Sequence, residues 1–252
     1  MPSDQRNNFC TVIVSSCDAY SDAWHPFFTL FFRYWPDCPF VVYLISSEKK
    51  YPDSRVNSLQ IEDKKWASNI LEVLGKINTP YVLYMQEDYF LQKIVDTTKI
   101  LELVEKMRAW QAGYIRLIPS PKPGRLFEAE SSLGVILPGS LYRTSLQGAI
   151  WSTETLKKLL RSGESGWDME KYGSERSNGL PELFLSTYKP ILDYYAPTAI
   201  KKGKWMPGAL WLCKKEGIVV DTSVRPTYTW RKVLWGRTRN YFSVFFHSYL
   251  SR

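Results

Sequence analysis

Apolar positions along this chain alternate between the two periods of regular structure. Phe9 to Ser15 (FCTVIVS) is a compact β-branched run and predicts a buried first strand. Ser15-Ser16-Cys17-Asp18 follows as a polar turn. Asp22-Ala23-Trp24-His25-Pro26 then opens a helix with proline in its first turn, and Phe27, Leu30, Phe31 and Tyr34 share one face of it. Pro36-Asp37-Cys38-Pro39 ends that helix, and Phe40 to Ile45 (FVVYLI) predicts a second strand. Strand, loop, helix, strand is the unit of a parallel sheet.

The pattern recurs downstream. Asp63 to Ile77 reads as a helix with Trp66, Ile70, Val73, Leu74 and Ile77 as its stripe. Tyr81 to Met85 (YVLYM) is a third strand, Thr97 to Gln111 a third helix and Gly113 to Ile118 a fourth strand. Pro119 to Gly139, rich in Pro, Gly and Ser, predicts a long loop. A strand within Ser145 to Trp151 and a helix over Thr153 to Arg161 come next. Ser162 to Pro181 is polar; Glu182 to Tyr188 reads as a short helix and Ile191 to Tyr195 as a strand. There is no internal repeat and no linker, so residues 1–225 are expected to form one domain, followed by a basic, aromatic helix over 226–252.

Composition changes this picture little: 252 residues with 44% hydrophobic and 23% charged suit one soluble α/β core. Aromatic residues reach 15%, which suits either sugar recognition or a core built from large rings. Charge is more informative. Residues 201–252 hold eleven Lys/Arg against two Asp/Glu, so the net +8 of the chain resides there and the remainder is near neutral. Such asymmetry points to an anionic surface or ligand. Four scattered cysteines and two histidines give no zinc spacing, and a reducing compartment with free thiols is expected. The polar start, Met1 to Asn8, lacks a signal-peptide apolar region, and no run approaches the roughly 20 apolar residues that span a bilayer. A cytoplasmic protein, peripheral at the inner membrane face, is the expectation.

The candidate chemistry clusters at strand ends. Tyr81-Val82-Leu83-Tyr84-Met85 leads directly into Gln86-Glu87-Asp88, where ligands of open parallel sheets bind. Adjacent carboxylates repel unless a cation or donor joins them; Mg²⁺ or Mn²⁺ bridging a diphosphate would satisfy both, with Glu87 and Asp88 as metal ligands. An exposed turn would also accommodate them. Arg116 interrupts an apolar strand and needs a carboxylate or phosphate partner: Glu87, Asp88 or substrate. Asp168 and Glu170, after Glu164-Ser165-Gly166-Trp167, are general-base candidates with Glu170 slightly preferred; both would also suit a helix N-terminus. Trp151 and Trp167 could stack on sugar or pack in the core. Lys201-Lys202-Gly203-Lys204-Trp205 could hold a diphosphate or be a solvated charge run. His247 could be a late metal ligand or part of an amphipathic helix.

The order of these motifs resembles GT-A glycosyltransferases, particularly those of bacterial surface-polysaccharide (capsule or lipopolysaccharide) synthesis. The likeness rests on the apolar first strand, its Ser-Ser-x-Asp turn, Asp63-x-x-Trp66-x-x-Asn69 and Tyr-Val-Leu-Tyr-x-Gln-Glu-Asp, and covers roughly residues 9–180. It implies a single GT-A-like (Rossmann-like) α/β domain with a mostly parallel central sheet flanked by helices. A nucleotide-sugar half (about 9–120) would precede an acceptor half (about 121–225). It implies a nucleotide-sugar donor, UDP-sugar favoured, lined by Ser15, Ser16, Asp18, Asp63, Asn69, Gln86, Glu87, Asp88, Arg116 and Lys204. A saccharide or lipid-linked acceptor would meet Gln147, Trp151 and Trp167, with Glu170 or Asp168 taking its proton. One departure matters: the family's two carboxylates stand two residues apart, whereas here Gln86 occupies the first place, which leaves open a metal held by Asp88 alone or a diphosphate neutralised by Lys/Arg without a metal.

A nucleotidyltransferase would be expected to carry a Gly-rich, Lys/Arg-bearing loop after its first strand, which Ser15-Ser16-Cys17-Asp18 does not supply. A noncatalytic carbohydrate- or membrane-binding protein accounts for the aromatics but not for acids at strand ends. The tail from Trp230 through Phe246 interleaves basic and aromatic residues like an interfacial helix. Nucleic acid is not an expected partner, since the body is not basic and no nucleic-acid motif occurs.

Overall fold

The computed structural model describes residues 8–196 and 198–228. The chain divides into two compact units, Met1–Tyr194 and Tyr195–Arg252. In the first, nine strands form one sheet in the order β3-β2-β1-β4-β8-β5-β9-β7-β6. These are β1 (Cys10–Ser15), β2 (Val41–Ser46), β3 (Val56–Gln60), β4 (Tyr81–Gln86), β5 (Ala112–Arg116), β6 (Arg125–Leu126), β7 (Leu133–Val135), β8 (Ala149–Ser152) and β9 (Leu183–Thr187). β3, β2, β1 and β4 run parallel; β8 lies antiparallel between β4 and β5, and β9 is parallel to β5. The carboxyl ends of β1, β4, β5 and β9 and the start of β8 therefore meet at one edge.

Helices cover both faces, as the sequence predicts. α1 (Ser21–Tyr34) joins β1 to β2, α2 (Trp66–Lys76) joins β3 to β4, and α3 (Thr97–Trp110) joins β4 to β5. Right-handed crossovers place α1 and α2 on opposite faces, because the chain moves outward from β1 to β2 and returns from β3 to β4. The sheet's period of two divides its side chains accordingly. Ile13, Val82 and Tyr84 share a core with Ile70, Val73 and Leu74 of α2 and with Leu156 and Leu159 of α4 (Thr153–Leu159). At the end of α1, Trp35 donates from Nε1 to Thr97 Oγ1 at 2.8 Å, tying α1 to the start of α3.

Some local expectations fail for identifiable reasons. Glu182 to Tyr188 forms the strand β9, not a helix. Leu183–Thr187 is covered by β5 on one side and β7 on the other, and a short buried apolar run has no periodicity to separate the two states. β3 was not foreseen: Val56–Gln60 is mostly polar, and edge position beside β2 decides its conformation. The segment Ile191 to Tyr195 makes only a bridge, Leu91 to Tyr194. The long loop contains the β6–β7 ladder, with Arg125 opposite Val135. Pro26 lies in the second turn of α1, which starts at Ser21.

In the second unit, β10 (Ile200–Lys201) and β11 (Lys204–Trp205) form a hairpin, followed by α6 (Pro207–Lys215). Lys202 and Gly203 have φ of +49° and +69°, so Lys-Lys-Gly-Lys is first of all a two-residue turn whose handedness matches strand twist. The label α5 is kept for Gly166–Asp168, the π-helical Met169–Gly173 and Ser174–Ser177, which follow one another without a break in the first unit. No described helix is long and apolar enough to cross a membrane.

Candidate functional site

At the carboxyl ends of β1 and β4 a hydrogen-bonded set of polar side chains lies on one sheet face. Ser15 is paired in register with Gln86, and Ile13 with Tyr84, so Ser15, Tyr84 and Gln86 point the same way. Trp66, opening α2, reaches in with its indole N–H, 3.2 Å from Ser15 Oγ and 3.1 Å from the Tyr84 hydroxyl. Gln86 Nε2 donates to the same hydroxyl at 3.2 Å. A strand read as apolar thus presents a buried phenol to the site. Burial, more than any neighbour, holds that phenol protonated.

Beyond the strand the chain turns at Glu87-Asp88, closed by the Tyr89 N–H donating to the Gln86 carbonyl at 3.1 Å. Glu87 is buried and acts electrostatically on Cys17, whose thiol is raised first by burial and then by Glu87 and Asp63. Asp88 acts on a second group of residues. Tyr89 and Tyr194 stack with ring centroids 4.4 Å apart and an interplanar angle of 25°. Both phenols are pushed up, Tyr89 by burial, then Tyr194 and Asp88, and Tyr194 by burial, then Asp88; Glu170 contributes to each. Asp88, Tyr89, Tyr194 and Glu170 therefore share one electrostatic neighbourhood. Tyr194 is placed there by the Leu91 bridge and by Asp193, which accepts from Gln92 Nε2 at 2.7 Å and pairs with Lys93 at 2.6 Å.

Glu170 is held at one oxygen. Its Oε1 accepts from Ser145 Oγ at 3.1 Å and from the Leu146 N–H at 2.9 Å. Oε2 takes no hydrogen bond from any described residue. Ser145 Oγ in turn accepts from the Gln147 N–H at 3.3 Å, and the Tyr194 hydroxyl donates to Gln147 Oε1 at 3.4 Å. The chain Tyr194, Gln147, Ser145, Glu170 thereby links the aromatic pair to the carboxylate. Glu170 lies within the π-helical turn Met169–Gly173, and a Cβ on Gly173 would approach Met169 Sδ to 2.5 Å, so the Met169 side chain would have to shift to admit one.

The other sequence-predicted residues divide between this strand-end cluster and structural work. Ser16 Oγ accepts from Trp24 Nε1 at 2.7 Å. Asp18 accepts the backbone N–H groups of Ser47, Glu48 and Lys49 at 2.9, 2.9 and 3.0 Å; burial opposes ionisation, but these donors hold its carboxyl below the usual range. Asn69 bonds Lys64 through both ends of its amide, and Asp63 is exposed. Asp168 is engaged in a capping box: the Ser165 hydroxyl, at 2.7 Å, and then its N–H keep the carboxyl ionised to lower pH than usual. Trp167 stands 79% exposed on the same helix as Glu170, open to a ring-shaped ligand.

Two expectations are corrected. Arg116 is fully buried, but its partners are the carbonyls of Pro121 (2.9 Å) and Tyr142 (2.8 Å), not Glu87 or Asp88. It braces the loop after β5. Trp151 is fully buried, its ring 4.2 Å from that of Tyr114, because β8 runs antiparallel and carries it away from the ligand edge. It is a core residue and cannot stack on an acceptor. Lys204 lies in the hairpin of the second unit, its Nζ 5.9 Å from the Tyr228 ring. His247 and the tail from Trp230 lie outside the described residues. All four cysteines are free. Among the described residues no group of three or more His, Cys, Asp or Glu side chains could hold a metal ion. Sequence reasoning missed Tyr89, Tyr194, Ser145 and the Leu146 N–H. Only Tyr89 gave a signal, as the residue directly after the acidic pair.

No protein-family model matches the chain, and no curated protein matches its sequence. Solved structures resemble it in fold. Mannosyltransferase PcManGT from Pyrobaculum calidifontis, in complex with GDP-Man and Mn²⁺, matches with TM-score 0.50 and 13% identity over 77% of this chain and 58% of that one. S. aureus TarS in complex with UDP matches with TM-score 0.49 and 12% identity over 74% of this chain and 59% of that one. A cytidylyltransferase from Leptospira borgpetersenii matches with TM-score 0.46 and 10% identity, over 87% and 98%. The chain thus spans less than two thirds of the length of PcManGT and TarS. The likeness is one of fold: a GT-A-like, Rossmann-like α/β architecture.

Proposed function

We propose that the protein is a glycosyltransferase that moves a sugar from a nucleotide-sugar to a saccharide or lipid-linked saccharide acceptor, with Glu170 as general base. The carrying observation is the arrangement of Glu170: one carboxylate oxygen anchored by Ser145 and Leu146, the other unengaged, in the electrostatic neighbourhood of Asp88. A carboxylate fixed at one oxygen keeps the other aimed while it removes the acceptor hydroxyl's proton during attack on the anomeric carbon. Trp167 and the Tyr89–Tyr194 pair supply flat surfaces for sugar rings. The nucleotide lies over Ser15, Ser16 and the Trp66–Tyr84–Gln86 floor in this reading, at the point where the strand order reverses between β1 and β4. The pathway it serves is bacterial surface-polysaccharide synthesis, with the enzyme peripheral at the inner membrane face.

Glu87 and Asp88 would be the two hard oxygen ligands in this reading, and among the described residues no group of three or more His, Cys, Asp or Glu completes a protein-only site. That fits Mg²⁺ or Mn²⁺, which take their remaining ligands from diphosphate and water. When bound, such an ion neutralises the departing nucleoside diphosphate. GDP-Man with Mn²⁺ on PcManGT and UDP on TarS show the kind of ligand this fold holds in those proteins.

Titration calorimetry with UDP, GDP, CDP and ADP, with and without Mn²⁺, tests the reading. One nucleotide is expected to bind, more tightly with the ion. Absence of binding by all four, or release of pyrophosphate from a nucleoside triphosphate and a sugar phosphate, would overturn it.

A further inference from the structure

We infer that the solvent face of α6, Trp211 with Lys214 and Lys215, docks the second unit on an anionic lipid surface. This extends the lipid-linked-acceptor reading without depending on it, because vesicle binding is measured with no substrate present.

α6 is short and has two unlike faces. Ala209, Leu212 and Cys213 are buried, while Trp211 is 64% exposed. Lys214 and Lys215 stand three and four residues after Trp211, which is the spacing of neighbours on one helix face. Lys215 Nζ lies 6.0 Å from the Trp211 ring centroid, so cation and indole form one surface element. An exposed tryptophan is costly in water but suits the headgroup level of a bilayer, where its apolar body is covered and its N–H stays wet.

Charge selects the sign of that surface. Over residues 198–228 six basic side chains face two acidic ones, Glu216 and Asp221, and Lys201 and Lys202 are exposed on the β10–β11 hairpin. Lysines near an anionic leaflet each strengthen binding several-fold at physiological salt. A nucleic-acid duplex would satisfy the lysines but leave Trp211 in water, whereas a headgroup layer takes the indole as well as the charges. The lipid surface therefore accounts for more of what is exposed.

The test uses the full chain and co-sedimentation with two vesicle types, pure phosphatidylcholine and phosphatidylcholine with roughly one third phosphatidylglycerol. Wild type is expected to bind the second and not the first, with binding lost as salt rises. Lys214→Gln with Lys215→Gln should lower the partition coefficient roughly 25-fold, and adding Trp211→Ala should lower it further. All three side chains are exposed, so thermal melts should coincide with wild type. Should the triple variant melt early, the lysine pair alone decides. Three results would overturn the inference: no binding of wild type to either vesicle, variants that bind like wild type, or a short duplex DNA that displaces the vesicles.

Discussion

Replacing Glu170 by Gln separates the chemistry of this carboxylate from its structural role. Oε1 accepts from the Ser145 hydroxyl and the Leu146 N–H, and a glutamine carbonyl placed there keeps both bonds. The stability change should stay below about 1 kcal/mol, since no donor is stranded. The amide nitrogen takes the place of Oε2, however, and cannot accept a proton. Loss of a positioned general base typically lowers turnover by about 10²–10⁴-fold, or roughly 3–5.5 kcal/mol in the barrier. Glu170→Ala differs in an instructive way, because it leaves the Leu146 N–H and the Ser145 hydroxyl without their acceptor at a cost of roughly 1–3 kcal/mol. The assay is transfer from the nucleotide-sugar whose diphosphate binds in calorimetry, beside thermal melts of both variants. A Gln variant that melts like wild type and transfers within about threefold of it would remove Glu170 from the chemistry.

Two further outcomes follow from the geometry. Asp18→Asn should weaken the joint between the loops after β1 and β2 by about 1 kcal/mol at neutral pH, a modest figure because two of its three donors are solvent-exposed. The folded Asp18 carboxyl titrates below its unfolded value of about 3.9, so its contribution is complete above that pH and disappears as pH falls through the folded value. Chemical denaturation across this range should show wild type and variant converging in acid; a constant gap would contradict the role assigned to the three N–H donors. Trp151→Ala should cost roughly 3–5 kcal/mol by emptying a fully buried site against Tyr114. Trp151→Phe should be milder, since the indole N–H makes no hydrogen bond among the described residues. A Trp151→Ala protein that is as stable as wild type but loses acceptor binding would return Trp151 to the ligand edge.

Local pattern made much of the first half of the fold legible. Strand β1, helices α1 and α2 and strand β4 each carry a periodic or continuous apolar signal bounded by polar turns, and right-handed connection rules turn that order into a parallel sheet. The position of Gln86-Glu87-Asp88 at the carboxyl end of β4 followed from the same reasoning. What the chain could not disclose locally was anything set by a distant partner. β9 is a strand because β5 and β7 flank it, and β8 is antiparallel because it enters between β4 and β5 from the ligand edge; that reversal is what buries Trp151.

The candidate site divides the same way. Sequence alone determined which residue types stand at the strand ends, because side-chain chemistry and strand direction are local properties. Tertiary structure alone decided which of them meet. Tyr194 joins Tyr89 across a bridge between segments about a hundred residues apart, and a hydroxyl and an N–H from the loop before β8 hold Glu170. Asp168, two residues earlier, is held by its own N-cap instead. Hydrogen bonds form between neighbours in space, and a backbone N–H, present at every residue but proline, leaves no mark in the sequence to show which carboxylate it will hold.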